Sequence, residues 1–228
     1  MFLQVLAWLA DAAHWRGPAG VPARIAEHLF YTVSTVGIAS TMAVPLGLVV
    51  GHTGRGAVAL VGLANAIRAL PTLGLLTLLF LLLRAQGLAT VIALVVLAVP
   101  PMLAGAYAGV QSVEAGVVDA ARGMGMTSAQ LLFQVELPGA LPLLLGGVRS
   151  AVLQVVATTT VAAYLGLGGL GRLLLDGLRS GDYPQMAAGA LLTAVVAVAL
   201  DLLVAGLIRL SVPTGVRLAG SMVSRIGG

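Results

Sequence analysis

From Leu88 to Ala108, LATVIALVVLAVPPMLAGAYA, no residue carries a charge. A helix needs roughly 20 apolar residues to cross the hydrocarbon core of a bilayer. Comparable runs span Leu29 to Val50, Ala57 to Leu83, Pro138 to Tyr164 and Pro184 to Leu210. In lipid each backbone N–H and C=O must find its partner inside the protein, so every such run predicts a helix. Of the 228 residues 59% are apolar and 9% are charged. An average globular domain has about 25% charged residues. So few charges cannot cover a water-soluble fold of this size. The sequence therefore predicts an all-α polytopic membrane protein with five transmembrane helices. It forms a single domain over 1–228, with the spans between 29 and 210.

The run from Ala57 contains Arg68 and Pro71. Proline removes a helix hydrogen bond, so one long kinked helix is predicted, or two short segments and six spans. Pro100 and Pro101 predict a second bend. Thirty glycines suit helices that pack through small side chains. Met1 to Trp15 lacks the basic start of a signal peptide, and Asp11 breaks its apolar run. Phe2, Val5, Leu6, Leu9 and Ala13 fall at helical spacing. They predict an amphipathic interfacial helix over 1–15, with Trp8 and Trp15 at headgroup depth.

All 12 basic residues are arginine, scattered singly rather than clustered as nucleic-acid binding requires. There is no cysteine, hence no disulfide framework. His14, His28 and His52 are isolated in sequence, and no metal site is expected. Arg55, Arg122, Arg209, Arg217 and Arg225 fall on one side of the membrane. Arg16, Arg24, Arg84, Arg172 and Arg179 fall on the other. The counts are equal, so the positive-inside rule does not orient the chain.

One internal stretch does not read as membrane: DAARGMGMTSAQLLFQVELPG, Asp119 to Gly139. Val110, Val113, Val117, Ala121 and Met124 form one helical stripe ahead of and into it. Gly125 suits a left-handed helix end. Thr127 to Gln130 fits a capping box, opening a second short helix to Glu136. Pro138 then suits the first turn of the fourth span. A compact helix–turn–helix held between two spans suits docking into a groove on a partner.

These residues resemble a signature of the permease subunits of binding-protein-dependent ABC importers: Glu-Ala-Ala, three residues, Gly, nine residues, Ile, one residue, Leu-Pro. Here Asp119, Ala120, Ala121, Gly125, Val135, Leu137 and Pro138 keep that spacing, with Asp for Glu and Val for Ile. NAIRALPTLGLL from Asn65, VDAARGMGMT from Val118 and GLGGLG from Gly166 are similar to the osmoprotectant branch. That branch carries glycine betaine, choline or carnitine; the methionine-importer branch shares the five-span plan.

The resemblance implies that residues 110–137 form a cytoplasmic coupling loop. It implies two docked ATPase subunits, a second permease copy or paralogue, and an external substrate-binding protein. The place is the inner membrane of a prokaryote, with the N-terminus outside and the C-terminus cytoplasmic. The chain is expected to be no enzyme and to hold no cofactor. ATP and magnesium belong to the partner, since no G-x-x-x-x-G-K-[ST] phosphate loop is present. Import of methionine or another small solute is the nearest alternative. A gradient-driven transporter would lean on intramembrane charges and inverted repeats, and no repeat is evident. An intramembrane enzyme would need G-x-S-x-G, HExxH or paired carboxylates within spans, and none occurs.

Gly166, Gly168 and Gly171 fit G-x-G-x-x-G but follow a membrane span, not the strand of a dinucleotide site. They read as a bend at the external mouth of the path or as close helix packing, in a polar loop to about Tyr183. Arg68, Arg149 and Asp201 lie within spans, where charge is costly and marks function or pairing. Arg149 and Asp201 suit snorkelling or a cross-helix pair; Arg68, beside Pro71, suits the path. Thr158, Thr159 and Thr160 offer hydroxyls to a solute or bond back to the preceding turn. The spans contain no Trp, so no aromatic cage for a quaternary ammonium is visible. Specificity is expected mainly in the external binding protein.

Overall fold

A computed structural model describes residues 1–211; Arg217 and Arg225, placed above on one face, lie outside the described residues. The described residues form helices α1 Phe2–Ala10, α2 Val21–Thr53, α3 Ala57–Arg68, α4 Thr72–Leu83 and α5 Gln86–Gln111. After these come α6 Ala115–Gly123, α7 Ser128–Leu131, α8 Leu137–Ala162, α9 Gly171–Ser180 and α10 Tyr183–Ser211. Four helices are long and apolar enough to cross a membrane: α2, α5, a continuous helix Ser128–Leu165 containing α8, and α10.

The core is a trio of α2, α5 and α8 with α5 in the middle. Small residues let the backbones approach. A Cβ added at Gly47 would lie 2.7 Å from Ala106, and one at Gly51 would lie 2.8 Å from Val110. Residue numbers rise together along this contact, so α2 and α5 run parallel. A Cβ at Gly105 would lie 2.7 Å from the Gly147 Cα, and one at Gly109 would lie 2.7 Å from the Ala140 carbonyl. There the numbers run oppositely, so α8 is antiparallel to α5.

Parallel α2 and α5 require the chain between them to return from one end of the bundle to the other. The bent pair α3–α4 does this. Its helices meet at 91°, a break rather than the expected kink within one helix. Pro71 disfavours the helical region for Leu70, and α3 stops before them. Each half has 12 residues, about 18 Å long, too short to cross alone. Around Pro100 and Pro101, by contrast, α5 stays one helix.

Two further expectations change. Residues 166–183 are not simply a loop, because they contain α9. Leu170 and Leu173 pack against Val21 and Ala188, while Arg172 and Asp176 pair at 3.1 Å on the other face. The N-terminal stripe also splits. Val5, Trp8 and Leu9 turn inward against the same cluster, leaving Phe2, Leu3 and Leu6 exposed. Trp8 is buried and stacks on His14 at 4.0 Å. Only Trp15 keeps an exposed ring, with its indole N–H donating to the Leu9 carbonyl at 2.7 Å.

Candidate functional site

The predicted stripe from Val110 to Met124 is not one helix. The chain leaves α5 at Gln111 and restarts as α6 at Ala115. Val110 is buried in the trio, Ala121 is buried in the new element, and Val117 and Met124 face outward. Periodicity alone could not see this break, because Ser112, Val113 and Glu114 carry no strong stop signal.

The turn after α6 follows the chemistry of its residues. Gly125 has φ +83°. Its N–H donates to the Arg122 carbonyl at 2.9 Å, and the Met126 N–H donates to Ala121 at 3.3 Å. Those two bonds make a Schellman helix end, which favours glycine. Thr127 and Gln130 then close the predicted capping box. The Gln130 N–H donates to the Thr127 hydroxyl at 3.3 Å, and the Thr127 N–H donates to the Gln130 side-chain oxygen Oε1 at 2.8 Å.

The second helix does not stop at Glu136. It widens into a π-helical turn, Leu132–Glu136, and continues as α8. Pro138 lacks an N–H for the Gln134 carbonyl, and its ring would crowd that carbonyl in a tight turn. A wider turn relieves both problems. The solvent-facing element and the third long helix are thus one rod.

The signature residues divide by direction. Asp119 and Ala120 are exposed and Ala121 is buried. Leu137 packs against the core cluster of Leu48, Ala106 and Val110. Val135 and Pro138 are half-buried at the neck. Beside Asp119, Val117, Met124 and Phe133 are 49%, 74% and 62% exposed. Large apolar side chains held outward on this otherwise polar connection offer a surface for a partner. Phe133 had no role in the sequence reading, and Met124, placed there on the helical stripe, turns outward instead.

Two side-chain ties fasten this end of the bundle. His52 at the end of α2 meets Glu136 at 2.6 Å, with both side chains largely buried. Gln111 at the end of α5 donates to the Gly51 carbonyl at 2.7 Å. Neither His52 nor Glu136 stood out in the sequence, since 84 positions separate them.

The opposite end has its own fastening. Glu27 of α2 accepts from the Gly169 N–H at 2.7 Å, and the Gln86 amide donates to the Leu165 carbonyl. A side chain at Gly168 would collide with Glu27, and one at Gly171 with the Thr160 carbonyl. The glycine motif therefore serves close approach here.

Within the spans, Arg149 and Asp201 pair across α8 and α10 through two parallel bonds of 2.5 Å each. The Thr158 hydroxyl donates back to the Gln154 carbonyl at 2.7 Å, and Thr160 donates back to Val156 at 3.2 Å. Thr159 is fully buried, and its hydroxyl has no partner among the described residues. Arg68 ends α3 and Pro71 precedes α4. Arg68 borders a cavity of about 280 Å³ between the bent pair, α5 and α8.

Long apolar helices joined by an exposed helix–turn–helix make this a multi-pass membrane protein. The chain belongs to the family described as "binding-protein-dependent transport system inner membrane component", whose model matches residues 43–214. It is 34% identical over 196 residues to the osmoprotectant import permease protein OsmW of Salmonella typhimurium, covering 84% of this chain and 91% of that one. It is 30% identical over 191 residues to the choline transport system permease protein OpuBB of Bacillus subtilis, covering 84% and 88%. It is 33% identical over 152 residues to the carnitine transport permease protein OpuCB of Listeria monocytogenes, covering 67% and 70%. Among solved structures, the fold is similar to a chain of the MetNI methionine ABC transporter. The TM-score is 0.72 at 22% identity, covering 85% of this chain and 96% of that one. The chain is the permease subunit of an ABC importer and a multi-pass inner-membrane protein.

Proposed function

We propose that this permease moves osmoprotectants, of the glycine betaine, carnitine and choline class, driven by ATPase subunits that dock on α6 and α7. The observation that carries the coupling role is the continuous helix Ser128–Leu165. A push on the exposed face of Val117, Met124 and Phe133 passes along one rod into the middle of the core trio. His52–Glu136 and Gln111–Gly51 spread that displacement to α2 and α5. The substrate class rests on the relatives, three of which carry osmoprotectant, choline or carnitine in their names.

In this reading the bent pair is one crossing. The bundle then has five spans, with the N-terminus outside and the C-terminus cytoplasmic. The short α1, with Phe2, Leu3 and Leu6 outward, lies at the outer interface. The chain forms one transmembrane domain and hydrolyses nothing itself; ATP and magnesium are held by the partner. A second permease copy or a paralogue completes the path, and an external binding protein delivers the solute.

The test is co-purification of the wild-type chain and Gly125→Asp with the cognate ATPase, followed by uptake of glycine betaine into proteoliposomes supplied with the cognate binding protein. An added side chain at Gly125 meets no atom within 4 Å, but a non-glycine residue at positive φ costs about 1–2 kcal/mol. Wild type should bring down the ATPase and transport, with uptake abolished by vanadate and indifferent to ionophores. Gly125→Asp should insert normally and lose ATPase-coupled uptake. Gradient-dependent uptake without any ATPase would refute the coupling role. ATP-driven uptake of methionine alone would refute the substrate class.

A further inference from the structure

Arg68 lies where α3 breaks, about halfway between the ends of the bundle. Its cavity neighbours Pro100 and Pro101 are midway along α5, and Ser150 and Gln154 are midway along α8. A cation at this depth is costly unless it faces water, a counter-charge or both. Arg149, at similar depth, has Asp201. Arg68 has no ion pair among the described residues.

No acidic side chain of this chain is placed to supply one. It has 8 acidic residues, all within residues 1–211. Asp201 is alone among them in standing deep within a span, and Arg149 holds both its oxygens. The others sit near helix ends or in the connecting segments. A second copy of this chain would bring the same set, with its own Asp201 already engaged.

The cavity walls match that deficit. No acidic or aromatic side chain lines it. Ser150 and Gln154 add neutral hydrogen-bonding groups, and Leu97, Pro100 and Pro101 add apolar surface. At about 280 Å³ it lies just below the range of roughly 300–1,000 Å³ typical of drug-sized ligands, so it suits a small solute. A guanidinium binds a carboxylate through two parallel donors, whereas a site for a bare quaternary cation would be lined by aromatic faces.

We infer that this mid-membrane cavity is a transit subsite for the carboxylate of a zwitterionic solute, with Arg68 as its anchor. The permease therefore favours betaine-type solutes over choline, which lacks a carboxylate. The inference rests on the osmoprotectant reading only for its choice of solute. Irregular backbone at the Pro71 break is tolerated at this depth because it lines a cavity.

The experiment is binding of radiolabelled glycine betaine, choline and methionine to the purified permease–ATPase complex, without the binding protein. Wild type, Arg68→Lys and Arg68→Gln are compared after size-exclusion shows each complex assembled. Wild type should bind glycine betaine at least about tenfold more tightly than choline, the scale of one charge-assisted bond. Arg68→Gln should erase that preference, and Arg68→Lys should restore part of it. Equal binding of glycine betaine and choline by wild type would overturn the inference. So would equal losses for both solutes in the variants, or no binding of any probe. Arg68-dependent binding of methionine without glycine betaine would uphold the carboxylate subsite while removing the osmoprotectant reading.

Discussion

The α2–α5–α8 trio and helix α10 are both long and apolar, yet they are held in different ways. Half of the most apolar stretch of α5 is buried within the chain, and none of that of α10. The trio closes through glycines that bring backbones into contact. α10 meets α8 and α9 along one side, leaves Val195, Val198 and Leu202 exposed, and is tied at mid-height by Arg149–Asp201. Apolarity puts a helix in the membrane but does not say what it packs against. Lipid tails are as apolar as leucine, so association there depends on close fit and polar links.

The sharpest test of this contrast uses neighbouring glycines. A Cβ at Gly147 would lie 2.6 Å from the Pro101 carbonyl, while one at Gly146 meets nothing within 4 Å. Gly147→Leu should cost more than about 3 kcal/mol, at or beyond the upper end of overpacking penalties. Gly146→Leu should stay within about 0.5 kcal/mol of wild type. Thermal unfolding in nanodiscs separates them, and similar melting points would mean that the trio is not closely packed.

Next in size is the tie to α10. Asp201→Asn leaves the Arg149 charge without its counter-ion. It should destabilise more than the double variant Arg149→Met/Asp201→Leu, since a half-broken membrane pair is worse than none. A double-mutant cycle of Arg149→Met, Asp201→Leu and their combination, followed by melting temperature, reads the coupling. Additive losses would show that the pair does not fasten α10.

A smaller effect is expected at the end of the trio that carries α6 and α7. Glu136→Gln keeps the shape of the side chain but weakens its bond to His52. A hydrogen bond to a charged group contributes about 1.5–3 kcal/mol, so a modest fall in stability is expected. The larger change should be in ATP hydrolysed per solute imported, because α2 would no longer follow α8. Unchanged stoichiometry would remove the His52 tie from the transmission path.

Much of the candidate site was legible from local chemistry. The left-handed Gly125 and the Thr127–Gln130 capping box depend on residues close in sequence, and the structure places them as read. The stripe from Val110 to Met124 failed because helical spacing persists across a break with no strong stop signal. The second helix overran Glu136 because a π-helical turn offers proline an alternative to termination. α9 was hidden by the polar, glycine-rich composition of 166–183. Its inward Leu170 and Leu173 have meaning only beside α2 and α10.

The sequence by itself determined that this chain lives in a bilayer, which runs form long apolar helices and where the polar helix–turn–helix between them lies. Those follow from the solvent and from hydrogen bonds a few residues long. Only the tertiary structure decided that α2 and α5 run parallel and that the second run breaks at 91°. The same holds for the pairing of His52 with Glu136 across 84 positions, and of Arg149 with Asp201 across 52. No periodicity encodes such pairs, because each depends on how separate helices meet. The same placement gives Asp201 to Arg149 and leaves Arg68 facing a cavity with no counter-charge among the described residues.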